Sequence, residues 1–225
     1  MSTIKSSIKK NIHLIGVKTK TWKYELTHKT DGFSEERYQK EFYFNKTKDP
    51  NAPKITKVLN EELDFESVVD LGCYIGHFIN EFQNIGKEIC GVDGDWIDPV
   101  VLLPEVREKV VLHNLEKPLD LERKFDLVMS LETAENINPG TEQQFLKNMV
   151  KHAGRYIVFS AARIGQGAGG WHQHKCFHTP SWWASELEKM GANYLLHETA
   201  TLAEKLDEAN VPEWYVNNIS LFRVD

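Results

Sequence analysis

The sequence predicts an alternating α/β fold: a mostly parallel seven-stranded sheet flanked by helices, with an N-terminal extension. Three observations carry this. From Ser67 onward, short apolar runs alternate with segments of helical spacing, the pattern that builds a parallel sheet covered on both faces. The first run ends in a glycine-rich turn, Asp70-Leu71-Gly72-Cys73-Tyr74-Ile75-Gly76, at the strand end where open α/β sheets bind ligands. A chain of 225 residues with 41% hydrophobic and 11% aromatic content can fill a core, which excludes wholesale disorder.

The elements follow in order. Residues 1–30 mix basic and apolar positions (Ile12, Leu14, Ile15, Val17, Trp22, Tyr24) and suit a short strand or hairpin. Asp31-Gly32 reads as a turn, and Ser34 as the N-cap of a helix beginning Glu35-Glu36-Arg37. Asp49-Pro50-Asn51-Ala52-Pro53 breaks the chain before a short helix over 54–63. Strands are expected at Val68–Leu71, Ile89–Val92 (ending at Asp93), Val110–Leu112, Phe125–Met129 and Tyr156–Phe159. Ile75 to Phe82 has helical spacing, with Ile75, Phe78, Ile79 and Phe82 on one face, and 141–152 is helical. Ser181 to Met190 reads as a helix with a serine N-cap and Gly191 past its end. Two last strands are expected near 194–199 and 215–223. The domain reading is a basic extension, 1–60, and one domain, 61–225.

Charge divides the chain the same way. Residues 1–60 hold 13 Lys/Arg against 6 Asp/Glu, a net of +7; the rest carries −13, for a total of −6. Three cysteines (Cys73, Cys90, Cys176) with no CxxC pair make a disulfide scaffold improbable and favour a reducing, cytoplasmic setting. No apolar run reaches bilayer-spanning length, and Met1–Lys10 lacks the apolar stretch of a signal peptide.

The glycine-rich turn does not fit a dinucleotide fingerprint. Starting at Gly72, that fingerprint needs glycines at 74 and 77, where Tyr74 and His77 stand. Asp93 ends the second strand 21 residues after Gly72, at the distance from which a carboxylate accepts both ribose hydroxyls. The competing reading makes Asp93-Gly94-Asp95 a plain turn.

On these residues the sequence resembles the class I S-adenosylmethionine-dependent methyltransferases over about residues 61–225, and so implies a Rossmann-like sheet. Asp70, Gly72 and Gly76 match that family's first motif, with Tyr74 at its usual middle glycine, and Asp93 matches its ribose-binding acid. Asn114 stands where an Asp usually reaches the adenine amino group, and Leu115 follows to pack on the ring. Phe125-Asp126-Leu127-Val128-Met129-Ser130-Leu131-Glu132 resembles the fourth-strand motif, whose end lines the methionine part. The resemblance thus implies S-adenosyl-L-methionine as cofactor, S-adenosyl-L-homocysteine as product, and a binding set of Asp70, Gly72, Cys73, Tyr74, Gly76, Asp93, Gly94, Asp95, Trp96, Asn114, Leu115, Ser130 and Leu131.

Later stretches are similar to members acting on small molecules and sugars. Glu132-Thr133-Ala134-Glu135-Asn136 stands where those carry Glu-Val-Ala-Glu-His. Gly165-Gln166-Gly167 is intact; Gly170-Trp171-His172-Gln173-His174 departs from Gly-His-x-Asn, and Trp182-Trp183 replaces Tyr-Trp. The implied acceptor is a hydroxyl of a small molecule or glycan, with His172, then His174, as candidate bases and Glu132 as a further acid/base candidate. Trp171, Trp182 and Trp183 suit an apolar wall around an acceptor or ordinary core.

His172, His174, Cys176 and His178 alternate, but four ligands within seven residues rarely close a tetrahedron, so no metal site is expected from this run. Two other functions compete. The basic front segment with Trp22, Tyr24 and Phe33 suits nucleic-acid methylation, against the acidic body. The departures at Tyr74 and Asn136 suit a non-catalytic cofactor-binding or interaction protein.

Overall fold

A computed structural model describes residues 49–166 and 174–225. The hairpin and helix expected within residues 1–48, and His172, lie outside the described residues.

A helix α1 (Ala52–Glu62) leads into β1 (Ser67–Leu71), α2 (His77–Asn84), β2 (Glu88–Asp93), β3 (Val110–Leu112) and β4 (Phe125–Leu131). Then come α3 (Glu142–His152), β5 (Ala153–Ser160), α4 (Pro180–Lys189), β6 (Ala192–Tyr194), α5 (Leu196–Glu208), α6 (Glu213–Asn218) and β7 (Ser220–Val224). The seven strands form one sheet in the order β3-β2-β1-β4-β5-β7-β6. β1 to β5 are parallel, and β7 runs antiparallel between β5 and β6. All five parallel strands therefore end at one edge of the sheet.

Period-two alternation splits the core. Val69, Leu71 and Val128 pack on one face with Phe145, Leu146 and Met149 of α3 and Trp183 and Leu187 of α4. Val68, Leu127 and Met129 pack on the other with Ile55 and Leu59 of α1, Ile79 and Phe82 of α2, and Leu202 and Leu206 of α5. The apolar side of α1 thus belongs to the same core as the strands that follow it. At the opposite edge from the strand ends, the Asp126 carboxylate accepts the Glu66 and Ser67 amides and the Ser67 hydroxyl, which fixes where β1 and β4 begin.

Four expectations are corrected. The strand near 194–199 is only Ala192–Tyr194; the chain turns helical at Leu196, because Thr199, Leu202 and Leu206 recur at helical spacing and bury together. The strand near 215–223 is the helix Glu213–Asn218 followed by Ser220–Val224, with Pro212 as the helix N-cap. α4 is capped by Thr179, whose hydroxyl accepts the Trp182 amide, and not by Ser181. Ile75 precedes α2 and is buried with Ile97 and Leu102, away from the helix face it was expected to share.

Candidate active site

A cleft of about 1250 Å³ opens at the carboxyl ends of β1 to β4. That exceeds the usual range for one small ligand and leaves room for two. It has two halves, built in different ways.

The first half is backbone at the ends of β1, β2 and β3. Gly72 takes φ +93, and a Cβ there would sit 2.7 Å from the Thr133 Cβ, so the loop after β4 closes on β1 only over a glycine. Tyr74, at the usual glycine of the motif, adopts φ 55, the conformation a glycine would favour. Its amide donates to Asp93 at 2.5 Å, and Gly94 donates to the same carboxylate at 2.7 Å. Burial pushes Asp93 up to about 6, against these two amides, which lower it. Gly94 gives its missing side chain's space to the Trp96 ring: a Cβ there would collide with the indole.

Asp70 is buried, and its Oδ2 has no partner among the described residues. Burial first, then the neighbouring Asp93, push its pKa well above the carboxylate range. A buried carboxylate oxygen that lines a cleft without a donor is a place for a ligand's ammonium or hydroxyl group. Asn114 Oδ1 accepts the Glu116 amide at 2.9 Å and keeps a second lone pair. Cys73, Asp95 and Leu115 complete this half.

The second half is a side-chain network. Glu132, at φ 53 just past β4, donates its amide to the Ser160 carbonyl at the end of β5. Its carboxylate accepts Asn218 Nδ2 at 3.0 Å and Gln166 Nε2, and Asn218 Nδ2 also reaches Gln166 Oε1 at 2.8 Å. Burial raises the Glu132 pKa; its hydrogen bonds from Asn218, Ser160 and Gln166 lower it. Glu135 is 2% exposed and is pushed up to about 8, by burial first and by Glu132 second; its Oε2 has no partner among the described residues. His174, Lys175, Trp214 and Tyr215 line the rest.

Of the residues expected from the sequence, Asp70, Gly72, Cys73, Tyr74, Asp93, Gly94, Asp95, Trp96, Asn114, Leu115, Leu131, Glu132 and His174 all line this one cleft. Gly76 and Ser130 do not. Gly76 starts α2 and faces Val106. Ser130 is fully buried and donates to the Leu71 carbonyl at 2.6 Å, tying β4 to β1. Asn218, Trp214 and Tyr215 carry no mark in the sequence that would assign them to the site. Asn218 sits 86 residues from Glu132, with no motif to connect them.

A sheet of order 3-2-1-4-5-7-6 with one antiparallel strand, a glycine turn after β1 and an acid at the end of β2 defines a class I S-adenosylmethionine-dependent methyltransferase. The family profile described as "Methyltransferase domain" matches residues 40–197, and the chain belongs to that family. A search of curated protein sequences finds no match.

Solved structures share the fold. DesVI of Streptomyces venezuelae is 14% identical with a TM-score of 0.55, covering 81% of this chain and 94% of its own. The CcbJ methyltransferase of Streptomyces caelestis is 13% identical with a TM-score of 0.55, covering 79% and 97%. A TehB-like SAM-dependent methyltransferase of Corynebacterium glutamicum is 16% identical with a TM-score of 0.52, covering 76% and 88%. No helix among the described residues is long and apolar enough to cross a membrane.

Proposed function

We propose that this methyltransferase transfers the methyl group to a hydroxyl of a small molecule or sugar. The observation that carries the reading is the two-part cleft, with fixed backbone and carboxylates on one side and an adaptable hydrogen-bonding network on the other. The first half fits the cofactor. Asp93 would accept the ribose hydroxyls, Asn114 and Leu115 would take the adenine, and the unpartnered Asp70 oxygen would accept from the amino group. When bound, the cofactor supplies a methyl group on a positively charged sulfur.

The chain's own residues do the rest. Glu132 is held by Asn218 and Gln166 and positions the acceptor side of the cleft. His174 lines the same side, and an imidazole there removes the hydroxyl proton near neutral pH. His172, the other candidate base, lies outside the described residues. The basic segment before the domain is the place we assign to acceptor or partner contact.

A second reading, an amine acceptor, is favoured by one observation. Among the described residues seven carboxyl groups line the cleft; burial holds Asp70 and Glu135 toward the neutral form, which leaves Asp49, Asp93, Asp95, Glu116 and Glu132 against Lys117 and Lys175. That surplus draws in a cation and opposes the phosphates of a nucleic acid.

Calorimetry with the cofactor and its demethylated product, followed by transfer of labelled methyl to a panel of sugar hydroxyls and amino sugars, tests the proposal. Binding of both cofactor forms with label in an ether is expected. Label in an amine moves the assignment to the second reading. Binding without transfer to any acceptor makes the chain a non-catalytic cofactor binder, and binding of neither form removes the proposed role.

A further inference from the structure

Behind the acceptor side of the cleft, three side chains of different chemistry converge. Glu142 opens α3, while Cys176 and His178 lie on the segment leading into α4. The Glu142 Oε1 is 3.3 Å from Cys176 Sγ and 3.2 Å from His178 Nε2, and all three donor atoms lie within 4.8 Å of one another. Around a tetrahedral zinc, with bonds of about 2.3 Å to sulfur and about 2.0 Å to nitrogen or oxygen, neighbouring donors stand about 3.3–3.5 Å apart. The spacing to Glu142 is that of adjacent corners.

The surroundings hold the donors in place. The other Glu142 oxygen accepts the Gly140 amide at 2.7 Å, which fixes the carboxylate. The His178 ring stacks on Trp182 at 3.6 Å and meets the edge of Trp183 at 5.1 Å. The Cys176 amide donates to the Glu135 carbonyl at 3.0 Å. Supporting contacts of this kind orient ligands in metal sites.

We propose that Glu142, Cys176 and His178 form a zinc site that clamps the 174–178 segment to the start of α3. The Cys176 thiol gives its proton to solvent on binding, so thiolate and carboxylate neutralise the ion. Three protein ligands leave a fourth position for water or a further donor. A thiolate, an imidazole and a carboxylate together select zinc over magnesium or calcium, which take oxygen ligands. His174 and Lys175, on the cleft side of the same segment, are then held by a metal that takes no part in methyl transfer.

The experiment uses the full chain, purified without chelator. Elemental analysis is expected to give about one zinc per chain, falling to background in Glu142→Gln and His178→Ala. After the zinc is removed with a chelator and the chelator is dialysed away, cobalt(II) titration is expected to produce a sulfur-to-cobalt charge-transfer absorption that persists in Cys73→Ser and Cys90→Ser and disappears in Cys176→Ser. Near-UV circular dichroism of Cys176→Ser shows whether that variant keeps its fold. If it does not, the same loss of cobalt d–d intensity in Glu142→Gln decides. Absence of stoichiometric zinc together with absence of the cobalt absorption overturns the proposal, and so does an absorption that survives Cys176→Ser. None of these readouts depends on methyl transfer, so they stand or fall apart from the proposed activity.

Discussion

The two halves of the cleft are made from different materials. At the ends of β1 and β2, the shape is backbone: Gly72 at φ +93, Tyr74 at φ 55, and Asp93 held by two amides within the same turns. Past β4, the shape is side chain. Glu132, Gln166 and Asn218 come from three separated segments and are joined by hydrogen bonds among their side chains. A backbone site is rigid and suits an invariant ligand. A side-chain network can be re-aimed by single substitutions and suits the part of the reaction that differs between acceptors. Substitutions that change the backbone of the first half should therefore disturb folding and cofactor affinity together, and those in the second half turnover alone.

The largest effect is expected at Gly72. Gly72→Ala places a methyl against Thr133 and forces a left-handed conformation on a residue with a Cβ. Overpacking and strain together cost about 3 kcal/mol. Thermal unfolding should show a large fall in Tm, and calorimetry should show no binding of the demethylated cofactor. A variant with wild-type Tm and binding would break the distinction between the two halves.

Next is His174→Ala. Loss of a general base lowers turnover by about 100-fold. Affinity for the demethylated cofactor should stay within about twofold, because the first half is untouched. Equal losses in turnover and cofactor affinity would mean that the two halves are not separate.

How much of each half was legible follows the same division. Asp70, Gly72 and Asp93 could be read because a turn after one strand and an acid after the next have fixed spacing along the chain. The strands of the parallel sheet were visible as short apolar runs for a similar local reason. The Glu132–Asn218 contact spans 86 residues, and Glu142 meets Cys176 across 34, so neither leaves a local signature. The alternating run of histidines hid this second contact: the partner that could complete Cys176 and His178 lies far off in the sequence, at the start of α3. Residues 194–199 read as a strand in a short window, and the helix shows only in the longer one that contains Leu202 and Leu206.

Asp93 gives a pH test of intermediate size. Its folded pKa, about 6, lies above the ordinary carboxylate value of 3.8 because burial disfavours the charge; Asp70, Cys73 and Tyr74 face it. Between about pH 4 and 6 the unfolded chain is ionised while the native residue keeps its proton. Its contribution to ligand-free stability therefore falls as pH rises through that window. Cofactor affinity should move the other way and strengthen as pH rises through about 6, since the ionised carboxylate is the better acceptor for ribose hydroxyls. Asp93→Asn should flatten both profiles and weaken binding about tenfold at pH 7.5. Calorimetry and thermal unfolding at matched pH values check both signs, and parallel movement of the two would remove Asp93 from ribose binding.

The smallest effect is expected at Tyr74, the departure from the usual glycine. Tyr74→Gly relieves a left-handed tyrosine, a gain of about 1 kcal/mol. It also strips a ring that packs beside Ile75, Ile97 and Leu102 and frees the unfolded chain, losses of about the same size. These contributions nearly cancel, so Tm should move by only a few degrees. The amide that Asp93 accepts belongs to the backbone and survives the change, so affinity for the demethylated cofactor should stay within about threefold. A loss beyond tenfold would mean that the Tyr74 side chain itself touches the cofactor. The first half would then be built, like the second, from side chains as well as backbone.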